Sequence, residues 1–385
     1  MLSFIINFSL RLKGDLMKKV GLLTIHAAYN YGAALQTYAT QKTVCDVGAE
    51  CTVIDFSTSS SLAGRKFFRL PLSMGAIKHD IRNILKPRAF FRRKKGFDAF
   101  RKNRMKLTSR SYTHKNFKDI EKENFDLLIT GSDQTLNLNL GGEAEERKCF
   151  YLPDIGGEKI TYSASMGEHI DRLTDEQLAF IGDALSRYKS LSVREERCAD
   201  LIEKLCGNRP AVLADPTLAV EREHWESISE DFEGLPEKYI FFYTVLSEAW
   251  VIDYVKSLSE KTGLPVVAAH PQNHFEIGAP FIRVDTASPE QFIRIMKKAQ
   301  FTVATSFHGT AFAINLNCPF ISIILGAGNR ITPMLEKAGL SDRGFRETPP
   351  DDIELYSVDF KAANEYLEKA RKENLDFLRE ALKTE

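Results

Sequence analysis

A histidine stands where an apolar run gives way to small residues, in Ser306-Phe307-His308-Gly309-Thr310. The run before it, Phe301 to Thr305, reads as a buried strand, and Ala311 to Asn317 as a short helix. This order predicts an imidazole at a strand-to-helix turn, beside helix N–H groups that have no partner within the helix. Ser306 and Thr310 place hydroxyls beside those amides, and Gly309 admits a backbone or a ligand at close range. The chemistry suited to such a turn is the binding of an anion that must also exchange a proton. The alternative is a turn whose histidine only packs.

Other strand ends carry groups that could complete such a site. The first strand-to-helix loop runs from His26 to Gln36. Its Asn30, Tyr31, Gly32 and Gln36 suit hydrogen bonding to and stacking on a sugar; alternatively, Asn30 and Gly32 build a turn and Tyr29 and Tyr31 pack inward. The loop has one glycine, not a G-x-G-x-x-G, and Asp55 alone near the right offset does not make a dinucleotide fingerprint. Gly131-Ser132-Asp133-Gln134 follows the apolar run Asp126 to Thr130. Asp133 there can serve as a base towards a sugar hydroxyl with Gln134 beside it, or Ser132 or Asp133 can cap a turn. Arg194 ends the run Leu191 to Val193, where a guanidinium can clamp a carboxylate or phosphate, or else pair with a neighbouring glutamate. Asp215-Pro216-Thr217 reads as a capped structural turn, since Pro216 disfavours helix at Asp215. In Gly326-Ala327-Gly328-Asn329-Arg330, two glycines before a helix can cradle a phosphate, with Asn329 and Arg330 as further contacts. His270 and His274 are separated by Pro271, which spoils ligation from one helix face, and His26 either lines the cleft or packs.

The elements that must position these groups alternate between apolar runs and helical patterns, which predicts parallel sheets covered by helices, an α/β fold. Strands are expected at Val20 to His26, Cys51 to Phe56, Asp126 to Thr130, Lys159 to Ser165, Leu191 to Val193 and Ala211 to Ala214. A second series is expected at Tyr239 to Val245, Pro265 to Ala269, Phe281 to Val284, Phe301 to Thr305 and Phe320 to Ile324. Ser288-Pro289-Glu290-Gln291 is a helix start with a capping box. A chain of 385 residues exceeds the usual size of one core. The expected plan is two Rossmann-like domains, at 17–220 and 239–345, joined by the polar segment 221–238 and followed by a tail at 346–385 with a charged amphipathic helix. Residues 1–16 read as an extension ahead of a start at Met17, or as a weak membrane-surface anchor.

Residues 61–118 interrupt the alternation with 18 Lys and Arg against two Asp and Glu. They read as a helical insertion whose basic face is solvated, or as a docking surface for a polyanion such as a diphosphate-linked lipid at a membrane. Over the whole chain the formal charge is zero, so no overall field favours nucleic acid. The six cysteines show no metal-ligand spacing, and scattered thiols fit a reducing compartment.

Taken in order, five motifs resemble those of the polysaccharide pyruvyl transferase family. They are Gly21-Leu22-Leu23-Thr24 with Asn30-Tyr31-Gly32-Ala33 and Leu35-Gln36; Gly131-Ser132-Asp133-Gln134; Ser192-Val193-Arg194-Glu195; Asp215-Pro216-Thr217; and Ser306-Phe307-His308-Gly309-Thr310. The resemblance covers about Met17 to Arg343. It implies two domains facing a cleft as in GT-B glycosyltransferases, phosphoenolpyruvate as donor, a hexose of a bacterial surface glycan as acceptor, and a cyclic pyruvate ketal as product. No metal or organic cofactor is implied. His308 and Arg194 match the family's donor-site histidine and arginine. Some relatives place Arg-Leu where this chain has Ser306-Phe307, so one cationic contact is absent or comes from elsewhere, such as Arg330. Thr135-Leu136-Asn137 stands where many relatives carry an aromatic residue after the Asp-Gln pair.

The leading expectation is therefore a cytoplasmic pyruvyl transferase, working at the inner face of the membrane if its glycan acceptor is lipid-linked. Catalysis falls to His308, Arg194 and Asp133. The first alternative is a GT-B glycosyltransferase using a nucleotide sugar, with Gly326 to Arg330 on the diphosphate. The second is a non-catalytic glycan-binding protein held at a membrane through 61–118.

Overall fold

The computed structural model describes residues 17–69, 74–245, 248–270, 280–326, 330–350 and 354–383. The extension expected at 1–16, together with His274 and Asn329, lies outside them. Two parallel sheets organise the chain. The first has the order β3 (Leu107–Tyr112), β2 (Glu50–Phe56), β1 (Lys19–Leu23), β4 (Leu127–Thr130), β5 (Glu158–Thr161). Bridges from Ile160 to Ser190 and from Ala164 to Val193 attach a short pair, β6 (Ser192–Val193) and β7 (Ala211–Val212). The second has the order β10 (Ile282–Arg283), β9 (Val266–Ala269), β8 (Ile240–Tyr243), β11 (Phe301–Ala304), β12 (Phe320–Ile323), β13 (Gly344–Phe345).

Each sheet starts at its centre, fills one side, then crosses to the other. The loops after β1 and β4, and after β8 and β11, therefore diverge at a switch point, where open α/β sheets hold ligands. The strands expected from apolar runs are all present, because β4, β8, β9, β11 and β12 are buried along their whole length and so read as unbroken apolar stretches.

Six helices matter for the site and its surroundings. Helix α1 (Tyr31–Asp46) is capped by Asn30, whose side chain accepts the Ala33 N–H at 3.2 Å. Helices α2 (Met74–Leu85) and α3 (Pro87–Arg104) belong to the basic insertion. Helix α4 (Pro289–Lys298) opens with the expected capping box between Ser288 and Gln291. Helix α5 (Phe307–Asn315) follows β11. The C-terminal helix, α6 (Lys361–Ala381), ties the two sheets together. Its Ala363 and Leu367 join a core with Phe312 and Trp225, while Leu378 and Ala381 pack under the first sheet.

That central core is shared between the halves. Tyr31 of α1 stacks on Phe292 of α4 with centroids 4.7 Å apart, and Phe97 of α3 packs against Tyr31 at 5.2 Å. Burying each such side chain stabilises by about 1.5–3 kcal/mol, so α1 is fixed against the second sheet. The segment 221–238, read as a polar junction, contains the helix Arg222–Ile228, and its fully buried Trp225 packs on Phe312 at 5.0 Å.

The basic insertion departs from a simple solvated excursion. It ends in strand β3, which pairs with β2. Two of its arginines point inward. Arg93 donates to Asp285 O at 2.7 Å and Tyr29 O at 2.6 Å, and Arg101 donates to Asp55 Oδ1 at 2.9 Å.

Candidate active site

The ladder of the first sheet brings together three residues that are far apart in sequence. Asp133 follows β4, Arg194 follows β6, and Asp215 follows β7. Ser165 N–H donates to Asp133 O at 2.9 Å, Arg194 N–H to Ala164 O at 3.0 Å, and Leu213 N–H to Val193 O at 2.9 Å. Successive rungs thus align the three side chains at one edge of the cleft.

Asp215 is the hub. Its Oδ1 caps the next turn, accepting Thr217 N–H at 2.9 Å and Thr217 Oγ1–H at 2.7 Å. That is the structural turn the sequence suggests, but it uses only one oxygen. The other, Oδ2, accepts from Arg194 Nη1 and from Ser132 Oγ at 3.2 Å, and lies 3.6 Å from His308 Nε2. Burial would raise the Asp215 pKa, but the Arg194 charge and the His308 contact outweigh it and hold the carboxyl well below the usual carboxylate range.

Arg194 is almost fully enclosed. Besides Asp215 it faces Asp133 Oδ1 at 3.4 Å and Glu195 Oε1 at 3.6 Å, and its guanidinium lies 4.8 Å from the centroid of the Phe307 ring. Arg194 is thus ion-paired, and its Nε makes no hydrogen bond. Desolvation dominates at Glu195, raising its pKa despite the neighbouring Arg194 and Arg330 charges. Its Oε1 accepts from Ser165 Oγ at 2.9 Å, while Oε2 is buried without a partner.

The second domain supplies His308, Phe307 and Arg330. Gly309 N–H donates to Ser306 Oγ at 3.0 Å, so Ser306 caps α5 and presents His308 in its first turn. The imidazole lies on the first turn of α1. A β-carbon on Gly32 would stand 2.6 Å from His308 Cγ and closer still to Nδ1. Gly32 is thus the surface on which the ring rests. His308 Nε2 is buried and has no hydrogen-bond partner. Arg330 also approaches Phe307, 5.9 Å from its centroid, and its Nε is buried without a hydrogen bond. A cavity of about 140 Å³, in the size range that holds a small organic molecule, is lined by Arg194, Glu195, Asp215, Phe307, Arg330, Lys337 and Tyr366.

Asp133 stands at φ 65°, ψ −169°, a region that glycine alone enters readily. Such strain costs about 1–3 kcal/mol and gathers at functional sites.

Several expected contacts are corrected. Tyr31 is fully buried and its hydroxyl donates to Ala287 O at 3.2 Å; it belongs to the core, not to a sugar site. Gln36 is fully buried and donates to Thr24 Oγ1 at 3.0 Å, and Thr310 hydrogen-bonds Ser322 Oγ at 2.6 Å. Polar side chains in a strand-to-helix loop look alike in sequence whether they face the cleft or stitch the loop to its sheet. Asn30 and Ser306 cap helices, and Gly309 is buried against Tyr243. Gln134 accepts from Asn137 Nδ2 at 2.8 Å. His26 is buried, with Nε2 3.0 Å from Asp55 Oδ1, so Asp55 holds His26 and Arg101, not a ribose. Asp215 and Glu195 are the members that sequence reasoning passed over, Asp215 because its cap accounted for it.

Among the described residues one grouping has metal-ligand types, His114, Glu143 and Glu146. Glu146 already accepts from Ser59 N, Ser59 Oγ and Glu143 N.

Fold and cleft together define a two-domain α/β protein of the GT-B type. Among solved structures it resembles UDP-N-acetylglucosamine 2-epimerase from Rickettsia bellii, with a TM-score of 0.52 at 10% identity over 96% of this chain and 99% of that one. It also resembles UDP-GlcNAc 2-epimerase from Methanocaldococcus jannaschii, in complex with UDP-GlcNAc and UDP, with a TM-score of 0.50 at 12% identity over 94% and 93%. An alpha-glucosyltransferase in complex with UDP and DNA gives a TM-score of 0.50 at 10% identity over 95% and 94%. At such identities the likeness is one of fold. No curated protein sequence matches the chain. The family model for polysaccharide pyruvyl transferase matches residues 30–325, and the chain belongs to that family. No helix among the described residues is long and apolar enough to cross a membrane.

Proposed function

We propose that the protein moves the pyruvyl group of phosphoenolpyruvate onto a hexose of a bacterial surface-glycan precursor, closing a pyruvate ketal across two hydroxyls. The supporting observation is the grouping of Arg194, Arg330 and His308 around Phe307, with Arg194 Nε, Arg330 Nε and His308 Nε2 each buried and making no hydrogen bond. The donor carries one carboxylate and one phosphate, and two guanidinium groups can hold one each. Arg330 would then supply the cation that Ser306-Phe307 lacks.

In this reading His308 gives its proton to the donor's methylene carbon. The C=C electron pair takes that proton, leaving an oxocarbenium-like carbon. A sugar hydroxyl adds there and passes its proton back to the imidazole. A second hydroxyl then displaces phosphate. The C–O bond to phosphate breaks with its electron pair, and the second hydroxyl proton leaves through Asp133. Asp215 Oδ2, 3.6 Å from Nε2, orients the ring. Such proton transfers contribute about 10²–10⁴ in rate.

The donor is tested by thermal shift. A ligand at about 100 times its Kd adds roughly 2.7 kcal/mol of stability. Phosphoenolpyruvate is expected to raise the melting temperature and UDP-sugars to leave it unchanged. The reverse pattern would favour a nucleotide-sugar glycosyltransferase on the same fold.

The Gly32–His308 contact gives a second test. Gly32→Ala should displace the imidazole and lower kcat by about 10²-fold, the scale of a misplacement near 1 Å. Overpacking should cost no more than about 1–3 kcal/mol of stability. Steady-state kinetics with a urea melt separates the two effects, and unchanged kcat would contradict the placement of His308.

A further inference from the structure

We infer that α2 and the start of α3 form a docking face for an anionic membrane surface. Helix α2 is turned the unusual way round. Its buried residues are Ala76, His79 and Asn83, and Asn83 Nδ2 donates to Phe67 O at 2.8 Å. Among its described side chains the exposed ones are Met74, Ile77, Ile81, Ile84 and Leu85, from 39% to 72% exposed. At 100° per residue those five fall within an arc of about 100°. The polar side faces the protein and the apolar side faces outward, the reverse of a helix covering a core.

The patch continues onto its neighbours. Phe67, Phe68, Phe90 and Phe91 form one ring cluster, with Phe67 stacked on Phe91 at 5.5 Å and set edge-on to Phe68 at 4.8 Å. Phe68 and Phe91 are each 56% exposed. On α3, Phe91 shares its face with the exposed Arg88, Arg92 and Lys95, while Arg93 turns inward to Tyr29 and Asp285. Contiguous exposed apolar surface marks an interaction site. Apolar side chains ringed by Lys and Arg are the pattern that lies in a bilayer interface beside anionic headgroups.

Charge decides between occupants. The insertion carries 18 Lys and Arg against two Asp and Glu at 61–118, so a second copy of this face would oppose like charges. An anionic lipid surface complements them. Tyr29, held by Arg93, precedes the Asn30 cap of α1, so the docking face and the cleft are joined through one helix.

The test is co-sedimentation of the full chain with phosphatidylcholine vesicles, with and without about 30 mol % phosphatidylglycerol. At least tenfold more protein is expected on the anionic vesicles, and release is expected at about 1 M salt, where screening is nearly complete. Ile81→Glu/Ile84→Glu and, separately, Arg88→Glu/Lys95→Glu should each reduce the bound fraction at least tenfold with unchanged melting temperatures. Equal binding by wild type and variants, or none to anionic vesicles, would overturn the inference. So would a dimer in sedimentation velocity that Ile81→Glu/Ile84→Glu splits.

Discussion

His308→Ala should lower acceptor-dependent turnover by about 10²–10⁴-fold, the range for loss of one positioned proton-transfer group, while the protein stays folded. The side chain is placed by its surroundings and places little in return. Its ring rests on Gly32 and flanks Phe307, and Ser306 keeps the helix cap without it. Circular dichroism and a melting temperature near wild type are the expected controls. His308→Gln should show the same defect, since an amide can hydrogen-bond but cannot exchange the proton at neutral pH.

The largest effect on stability is expected at Asp215. Asp215→Ala removes the fully buried one of three carboxylates facing the Arg194 guanidinium, and the cap at Thr217, in one step. Breaking a buried ion pair costs up to about 3–5 kcal/mol, a large share of the stability of most domains. The effect depends on pH in a defined direction. The folded Asp215 carboxyl titrates well below its unfolded value of about 3.9. Its contribution is therefore complete above that unfolded value and is lost as pH falls through the lower, folded one. Urea melts of wild type and Asp215→Ala should differ fully at neutral pH and draw together on acidification below about pH 4. Parallel curves at all pH values would show that Asp215 is not held as a charged partner of Arg194.

Much of the fold was legible in the sequence because its central strands are buried on both faces and so read as continuous apolar runs. Strand β3 was not legible. Leu107-Thr108-Ser109-Arg110-Ser111-Tyr112 lies at an edge and exposes its middle, so it reads as polar coil. The basic insertion misled for a related reason. A charge count treats Arg93 and Arg101 like Arg88 and Lys95, yet long side chains can bury their stems and carry the guanidinium to an internal acceptor. In the site, His308, Arg194 and Asp133 could be singled out because each follows an apolar run. The role of Asp215 was hidden because one carboxylate does two jobs, a local one visible in Asp215-Pro216-Thr217 and a long-range one that needs β6 beside β7. Tyr31, Gln36 and Thr310 failed in the opposite way: their polar groups serve the packing of the halves.

The most direct measurement is phosphate release from phosphoenolpyruvate across a panel of hexosides and lipid-linked sugars, run for wild type and His308→Ala. Pyruvyl transfer through His308 predicts release that requires a sugar acceptor, yields a pyruvate ketal in equal amount by mass spectrometry, and falls at least 10²-fold in the variant. Release without acceptor, release unaffected by His308→Ala, or sugar transfer from a nucleotide donor in place of phosphate release would contradict it.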